Sequence, residues 1–409
     1  MEASNILLGV IGKTNVGKST FFSAATEVLV PIENRPFVTI EPNVGVAYVR
    51  SRCVHVALGL EKCDALNSVC RMGWRFIPVK IIDVAGLVPG AHAGRGLGNM
   101  FLDHVRRADA LLLVVDASGS TDEEGRPVKP GTYDPVLEVK QIMFEFEEWM
   151  YSIIARDWDK LARYIDTAGA LDVAGTLAQR LSGLSISRAH VVEALETTGL
   201  GGRKLSSWSR DDLRLFVSTL RRNSKPMVIV ANKADIGIAE DNIKRLREEF
   251  KHDPVVPTSS IAELLLRKAA SKKLIEYMPG DGGFIEVEKS RIPPETSKAL
   301  DKVRDVMSKW GSTGVQQALN EAVFNALSQI TVYPVEDHNR YTDKNGRVLP
   351  DVILMRKGST ARDLAYRVHT ELGETFLYAI NARTKQRVGE SYVLHDGDVV
   401  KVVAAARRG

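Results

Sequence analysis

Gly12-Lys13-Thr14-Asn15-Val16-Gly17-Lys18-Ser19 fits G-x-x-x-x-G-K-[ST], a string whose chemistry is the grip of a polyphosphate. Its glycines let the backbone curl so that successive N–H groups point inward at phosphate oxygens. Lys18 offers a point charge to the β- and γ-phosphates, and Ser19 offers a hydroxyl ligand to Mg²⁺. Gly12, Asn15, Val16, Gly17 and Thr20 complete the expected phosphate side of the site.

Two later strings extend this chemistry in the order a nucleotide requires. In Asp83-Val84-Ala85-Gly86 the carboxylate can hold Mg²⁺ through a water, and the Gly86 amide can sense a γ-phosphate. In Asn232-Lys233-Ala234-Asp235 the terminal carboxylate can accept both N1–H and the exocyclic N–H of guanine, a pair that adenine does not present. Asn232 would tie the loop to the base region, and the stem of Lys233 would cover the ring face. Thr39, between the first two strings, is the candidate for a second hydroxyl ligand to Mg²⁺, or else a turn residue. Ser259 and Ser260 are placed for backbone contact with the guanine oxygen; with Glu263 they also read as a helix cap.

The elements that must hold these residues follow from the apolar pattern. Ile6–Ile11, Val79–Ile82, Ala110–Val115, Met227–Val230 and Pro254–Val256 are short apolar runs. Helical spacing separates them, as over Ser19–Val28, which predicts an α/β fold with a parallel-rich sheet. Strand signals stop over 134–223, where Val136–Ala155 and Ser187–Leu200 carry three- and four-residue steps. Asp134-Pro135 and Ser209 open helices there, so this stretch is expected to be a helical insertion. Residues 1–133 and 224–328 then form the nucleotide-binding domain, its latter part helical. Residues 329–409 form a small β-β-α-β-β domain, with strands at Ile330–Val335, Val352–Met355, Thr375–Ile380 and Asp398–Ala404 around a helix at Ser359–Leu372.

Composition narrows the class without naming a partner. The 409 residues are 44% hydrophobic and 26% charged, and no apolar run approaches the roughly 20 residues of a membrane span. A formal charge of +4 is too small to argue for nucleic acid by itself. Cys53, Cys63 and Cys70 contain no C-x-x-C pair and are expected as reduced thiols of a cytoplasmic protein, not as a disulfide or zinc site.

In this order the strings resemble the Obg/YchF class of translation-associated GTPases. Thr39-Ile40-Glu41-Pro42-Asn43-Val44-Gly45 is similar to its switch I. Asp83 to Ala91 with Gly94-Arg95-Gly96-Leu97-Gly98-Asn99 is similar to its switch II. The insertion and the tail resemble the YchF branch, whose C-terminal domain is a β-grasp TGS domain. The resemblance implies a P-loop GTPase, and a ribosome or RNA partner that composition does not show, with Arg356, Lys357, Arg383, Lys385 and Arg387 as basic loop residues. The YchF branch resembles N-x-x-E at the base loop and prefers ATP, whereas Asp235 favours GTP and GDP here, with ATP secondary.

Leu87 stands where a Ras-like GTPase carries the water-orienting Gln, so hydrolysis is expected to be slow. K⁺ beside Asn15, His92 or Arg95 are the candidates to compensate; Asn15 reads equally as a turn residue tolerating positive φ, and a loop residue such as His92 or Arg95 is more often incidental. Two rival functions stand beside a GTPase switch: an ATPase of the YchF type, and an interaction protein with little turnover. A monomer is favoured.

Overall fold

The computed structural model describes residues 2–26, 44–84, 105–168, 172–184 and 186–405. Thr39, Gly86, Leu87, His92 and Arg95 lie outside the described residues. In chain order the first strands are β1 (Leu7–Ile11), β2 (Val44–Arg52), β3 (Val69–Arg71), β4 (Trp74–Asp83), β5 (Ala110–Asp116), β6 (Met227–Asn232) and β7 (Val255–Pro257). A small ribbon β8/β9 (Ile275–Glu276, Ile285–Glu286) follows. The C-terminal strands are β10 (Gln329–Pro334), β11 (Ile353–Arg356), β12 (Phe376–Asn381), β13 (Gln386–Val388) and β14 (Asp398–Ala404). These residues divide into two compact units, one drawn from 7–24 and 82–318, the other from 1–6, 25–81 and 319–409.

In the first unit β1, β5, β6 and β7 are neighbours in that order, all parallel. Every residue of β5 and β6 is buried, which is why both read as unbroken apolar runs. Register brings the strand ends level, with Ile11 opposite Leu113 and Asp116 opposite Asn232. Loops leaving those ends are therefore gathered at one edge of the sheet, where open α/β sheets bind ligands.

The stretch after residue 133 is helical, as its spacing predicts. Asp134 caps Pro135–Ala155 by accepting from the Val136 amide, and proline occupies the first turn. Ser209 and Asp212 form a reciprocal capping box at the head of Arg210–Ser224. Trp208 links two of these helices, its ring 5.3 Å from both Trp158 and Phe216. No helix among the described residues is long and apolar enough to cross a membrane.

The second unit contains a five-stranded sheet in the order β11-β10-β14-β12-β13, with β10 and β14 parallel. Val332, Ile353, Leu364 and Val400 form its core. The single helix expected over Ser359–Leu372 is two, Ala361–Val368 and Thr370–Glu374, because the extended backbone of His369 interrupts it. In the same unit β3 and β4 form a hairpin turned by Met72 and Gly73, both at positive φ. Residues 25–81 thus group with the C-terminal strands, a boundary that the apolar pattern does not mark.

Candidate nucleotide site

Sterics shape the loop after β1. Gly12 has φ +146°, and a Cβ there would lie 2.2 Å from the Val114 carbonyl oxygen. Gly17 has φ +99°, and a Cβ there would lie 2.2 Å from Asn232 Nδ2. Only glycine satisfies both demands at once. Asn15 adopts a left-handed φ of 62° and donates through Nδ2 to the Gly125 carbonyl at 2.8 Å.

Lys18 opens the helix Lys18–Thr26, and its ammonium donates to the Lys13 carbonyl at 2.8 Å. Burial lowers its pKa, opposed by the charges of Asp83 and Glu138. A cation held in so polar a loop has strong reason to prefer phosphate oxygens. Ser19 Oγ lies 3.4 Å from Asp83 Oδ2 at the end of β4, and the hydroxyl is exposed. Burial raises the Asp83 pKa, opposed by Lys18 and Ser19, while its Oδ1 is buried with no hydrogen-bond partner. A hydroxyl beside a half-satisfied carboxylate fits Mg²⁺, a hard cation that takes oxygen ligands.

The base side is wired to the phosphate side by one amide. Asn232, at the end of β6, donates from Nδ2 to the Val16 carbonyl at 2.8 Å. Its Oδ1 accepts from the amide and hydroxyl of Ser260. Asp235 is exposed, and its Oδ1 accepts from Ser259 Oγ at 2.7 Å. The Ser259 amide donates in turn to the Thr313 carbonyl. A groove of about 650 Å³ flanks Asp235 between the helices Ser260–Ser271 and Pro294–Trp310. The capping box with Glu263 does not form: Ser259 makes no cap bond, and Glu263 takes Arg267, Tyr277 and Thr313 instead.

Three polar residues here have no counterpart in the sequence reading. Asp116, at the end of β5, accepts from Ser118, Ser120, Thr121 and, at 2.7 Å, from Lys233 Nζ. Burial works against its charge, but the bonds from Lys233, Ser118 and Thr121 prevail and lower its pKa. The ammonium of Lys233 is thereby anchored, which leaves its stem to present a face. Lys13 is buried, donates to the Asp122 carbonyl, lies over the Tyr133 ring at 3.9 Å and pairs with Glu138 at 3.4 Å. Burial pushes Glu138 up to about 8. An aspartate ending an apolar strand ahead of Ser118, Ser120 and Thr121 was the one legible signal; Lys13 occupies a free position of the loop string.

The structure therefore gathers Gly12, Asn15, Val16, Gly17, Lys18, Ser19 and Thr20 with Asp83 at one end, and Asn232, Lys233, Asp235, Ser259 and Ser260 at the other.

The comparisons with known proteins agree across the chain. Residues 7–130 match a family described as 50S ribosome-binding GTPase, residues 230–337 the Obg-like GTPase YGR210-like, G4 motif-containing domain, and residues 339–404 the TGS domain. A GTP-binding protein of Methanocaldococcus jannaschii is 49% identical over 98% of this chain and 100% of its own length. A GTP-binding protein of Schizosaccharomyces pombe is 34% identical, covering 96% of each. The crystal structure of a GTP-binding protein from Pyrococcus horikoshii OT3 superposes with a TM-score of 0.77 at 42% identity, covering 99% of this chain and 100% of that one. With a P-loop domain, a G4-motif region and a TGS domain in that order, the chain belongs to the Obg/YchF-related family of GTP-binding proteins.

Proposed function

We propose that this chain binds GTP and GDP with Mg²⁺, hydrolyses GTP slowly, and uses the bound state to govern association with the ribosome or RNA. The observation that carries the reading is the single amide of Asn232, which joins the phosphate loop at Val16 to Ser260, the chain neighbour of the Ser259 that donates to Asp235. One nucleotide spanning both ends would be gripped by backbone amides around Lys18 and recognised at its base by the Asp235 carboxylate. Ser19, Asp83 and, from outside the described residues, Thr39 would hold Mg²⁺, which when bound draws charge off the phosphate oxygens. Lys18 adds a second positive charge to the same oxygens. Gly86 senses the γ-phosphate, and K⁺ beside Asn15, His92 or Arg95 offset the absence of a water-orienting Gln at Leu87.

Support for the ribosome comes from the family description matched over 7–130, and support for RNA from Arg383, Lys385 and Arg387 beside or within β13. The protein acts as a cytoplasmic monomer in this reading. A second reading, ATP hydrolysis, has one observation in its favour: a relative from Oryza sativa called Obg-like ATPase 1, 25% identical over 97% of this chain. Titration with GTP, ATP and xanthosine triphosphate in Mg²⁺ separates the two, and tighter binding of ATP than of GTP overturns the guanine reading. Single-turnover hydrolysis with and without K⁺ separates a slow GTPase from an interaction protein with structural nucleotide. Co-sedimentation with ribosomes in GTP, GDP and a non-hydrolysable analogue tests the switch, which is lost if the three behave alike.

A further inference from the structure

Outside the nucleotide site, four donor side chains meet in the second unit. Cys53 follows β2 and precedes the one-turn helix Val54–Ala57, which carries His55; Cys63 lies in the next loop and Cys70 in β3. Their sulfur and imidazole ligand atoms all lie within 4.8 Å of one another. Cys53 Sγ is 3.7 Å from Cys63 Sγ, and Cys70 Sγ is 3.7 Å from His55 Nδ1. A disulfide would bring two sulfurs to about 2.05 Å. A tetrahedral zinc, with Zn–S of about 2.3 Å and Zn–N of about 2.05 Å, sets sulfurs about 3.8 Å apart and sulfur to nitrogen about 3.6 Å apart. Both measured edges fit the second geometry, and the separation of Cys53 from Cys63 is too long for the first.

Chemistry narrows the ion. Three thiols and an imidazole form a soft donor set without a carboxylate, suited to zinc and unsuited to Mg²⁺ or Ca²⁺. Four protein ligands close the sphere, which marks a structural site. Cys53 and His55 are buried, and the other two are half-buried. Beside them Arg75, fully buried, donates from Nη1 to Cys63 Sγ at 3.2 Å and from Nη2 to the carbonyls of Leu349 and Pro350. Among the described residues no carboxylate forms a salt bridge with this guanidinium, and Asp351 feels its charge only at a distance. Zinc with three thiolates and a neutral imidazole has a net charge of −1, which the Arg75 cation balances.

We propose that Cys53, His55, Cys63 and Cys70 bind one structural zinc ion, with Arg75 as its outer-sphere partner, and that this ion clasps the 53–75 segment to residues 348–352. Binding releases three thiol protons to solvent and leaves three thiolates and the neutral imidazole on the metal. The clasped segment already pairs with its target. The amides of Asp64 and Leu66 donate to the carbonyls of Val348 and Pro350, and the Asn67 side chain exchanges two bonds with Val352. The spacing C-x-H-x₇-C-x₆-C hides the set from sequence reading, because none of its steps is the usual C-x₂₋₄-C; the β3/β4 hairpin and the helix Val54–Ala57 close it in space.

The test is metal analysis of the full chain purified without chelator, then stripped and refilled with Zn²⁺ or Co²⁺. About one zinc per chain is expected, with intense tetrahedral cobalt bands and thiolate-to-cobalt charge transfer that zinc displaces. Cys70→Ser should lose the charge transfer in part and weaken metal binding more than about 100-fold, Arg75→Met should weaken it about 10–100-fold, and His55→Cys should retain zinc. If the wild-type chain, with nucleotide binding intact, takes up neither zinc nor cobalt when the metal is in excess, the proposal is overturned. That readout needs no variant to fold. It is also separate from the nucleotide reading, since GTP titration can succeed or fail independently.

Discussion

The nucleotide site is assembled from distant parts of the chain and the thiol–imidazole cluster from the short stretch between Cys53 and Cys70, yet only the first is written as recognisable strings. A phosphate is held by successive backbone amides, so its residues must be consecutive, and the glycines must fall where φ turns positive, as at Gly12 and Gly17. A metal requires only that four side-chain atoms share one sphere, whatever the intervals between them. The intervals at Cys53, His55, Cys63 and Cys70 are set by a hairpin and a single helical turn. Contiguous recognition leaves a motif; convergent recognition leaves a pattern visible only after folding.

If the two sites are independent, they must break separately. Lys18→Ala should lower GTP hydrolysis by about 10³-fold or more in a single-turnover assay, with the zinc content of the chain unchanged. Asp235→Asn should cost GTP about 100-fold in affinity relative to xanthosine triphosphate, because a charge-assisted bond of roughly 1.5–3 kcal/mol is replaced by two facing donors. Gly17→Ala sharpens the comparison from within the first unit. A side chain at φ +99° facing Asn232 Nδ2 should destabilise the nucleotide-free protein by about 3 kcal/mol in urea and weaken GTP and GDP alike.

In the other unit, Asn67→Ala leaves the Val352 amide and carbonyl without their partner, and about 2 kcal/mol of stability should be lost with GTP affinity intact. Over any single unit of pH, the smallest effect belongs to Glu138. Its pKa rises from 4.5 unfolded to about 8 folded, so the folded state holds more protons across that window. Stability present below pH 4.5 is therefore lost as pH climbs toward 8, at no more than about 1.4 kcal/mol per pH unit. Glu138→Gln should flatten this part of the stability profile measured by urea denaturation at stepped pH.

Five apolar runs found their strands, and Asp134 and Ser209 open their helices, because a buried parallel strand and a capped helix each have a local signature. β2 escaped: its alternating Val44-Gly45-Val46-Ala47-Tyr48 continues directly from a loop-like string. β3 and β13 are three residues each, too short for periodicity to register. At the candidate site, the residues of the glycine loop and of the Asn232–Asp235 string were legible, whereas the polar support beneath was not. Glu138 sits among apolar helical positions and reads as an ordinary solvated face until Lys13 is seen against it. Ser259 and Glu263 show the reverse error, a familiar spacing that tertiary partners claim for another purpose.

The bond from Asn232 to Val16 joins residues 216 positions apart. At a synthesis rate of about 5–20 residues per second, the glycine loop must wait roughly ten to forty seconds before the amide that completes it leaves the translating machine. Throughout that interval the nascent chain carries a phosphate loop whose base-reading half does not yet exist. In the proposed reading, only a fully translated first unit discriminates one purine from another.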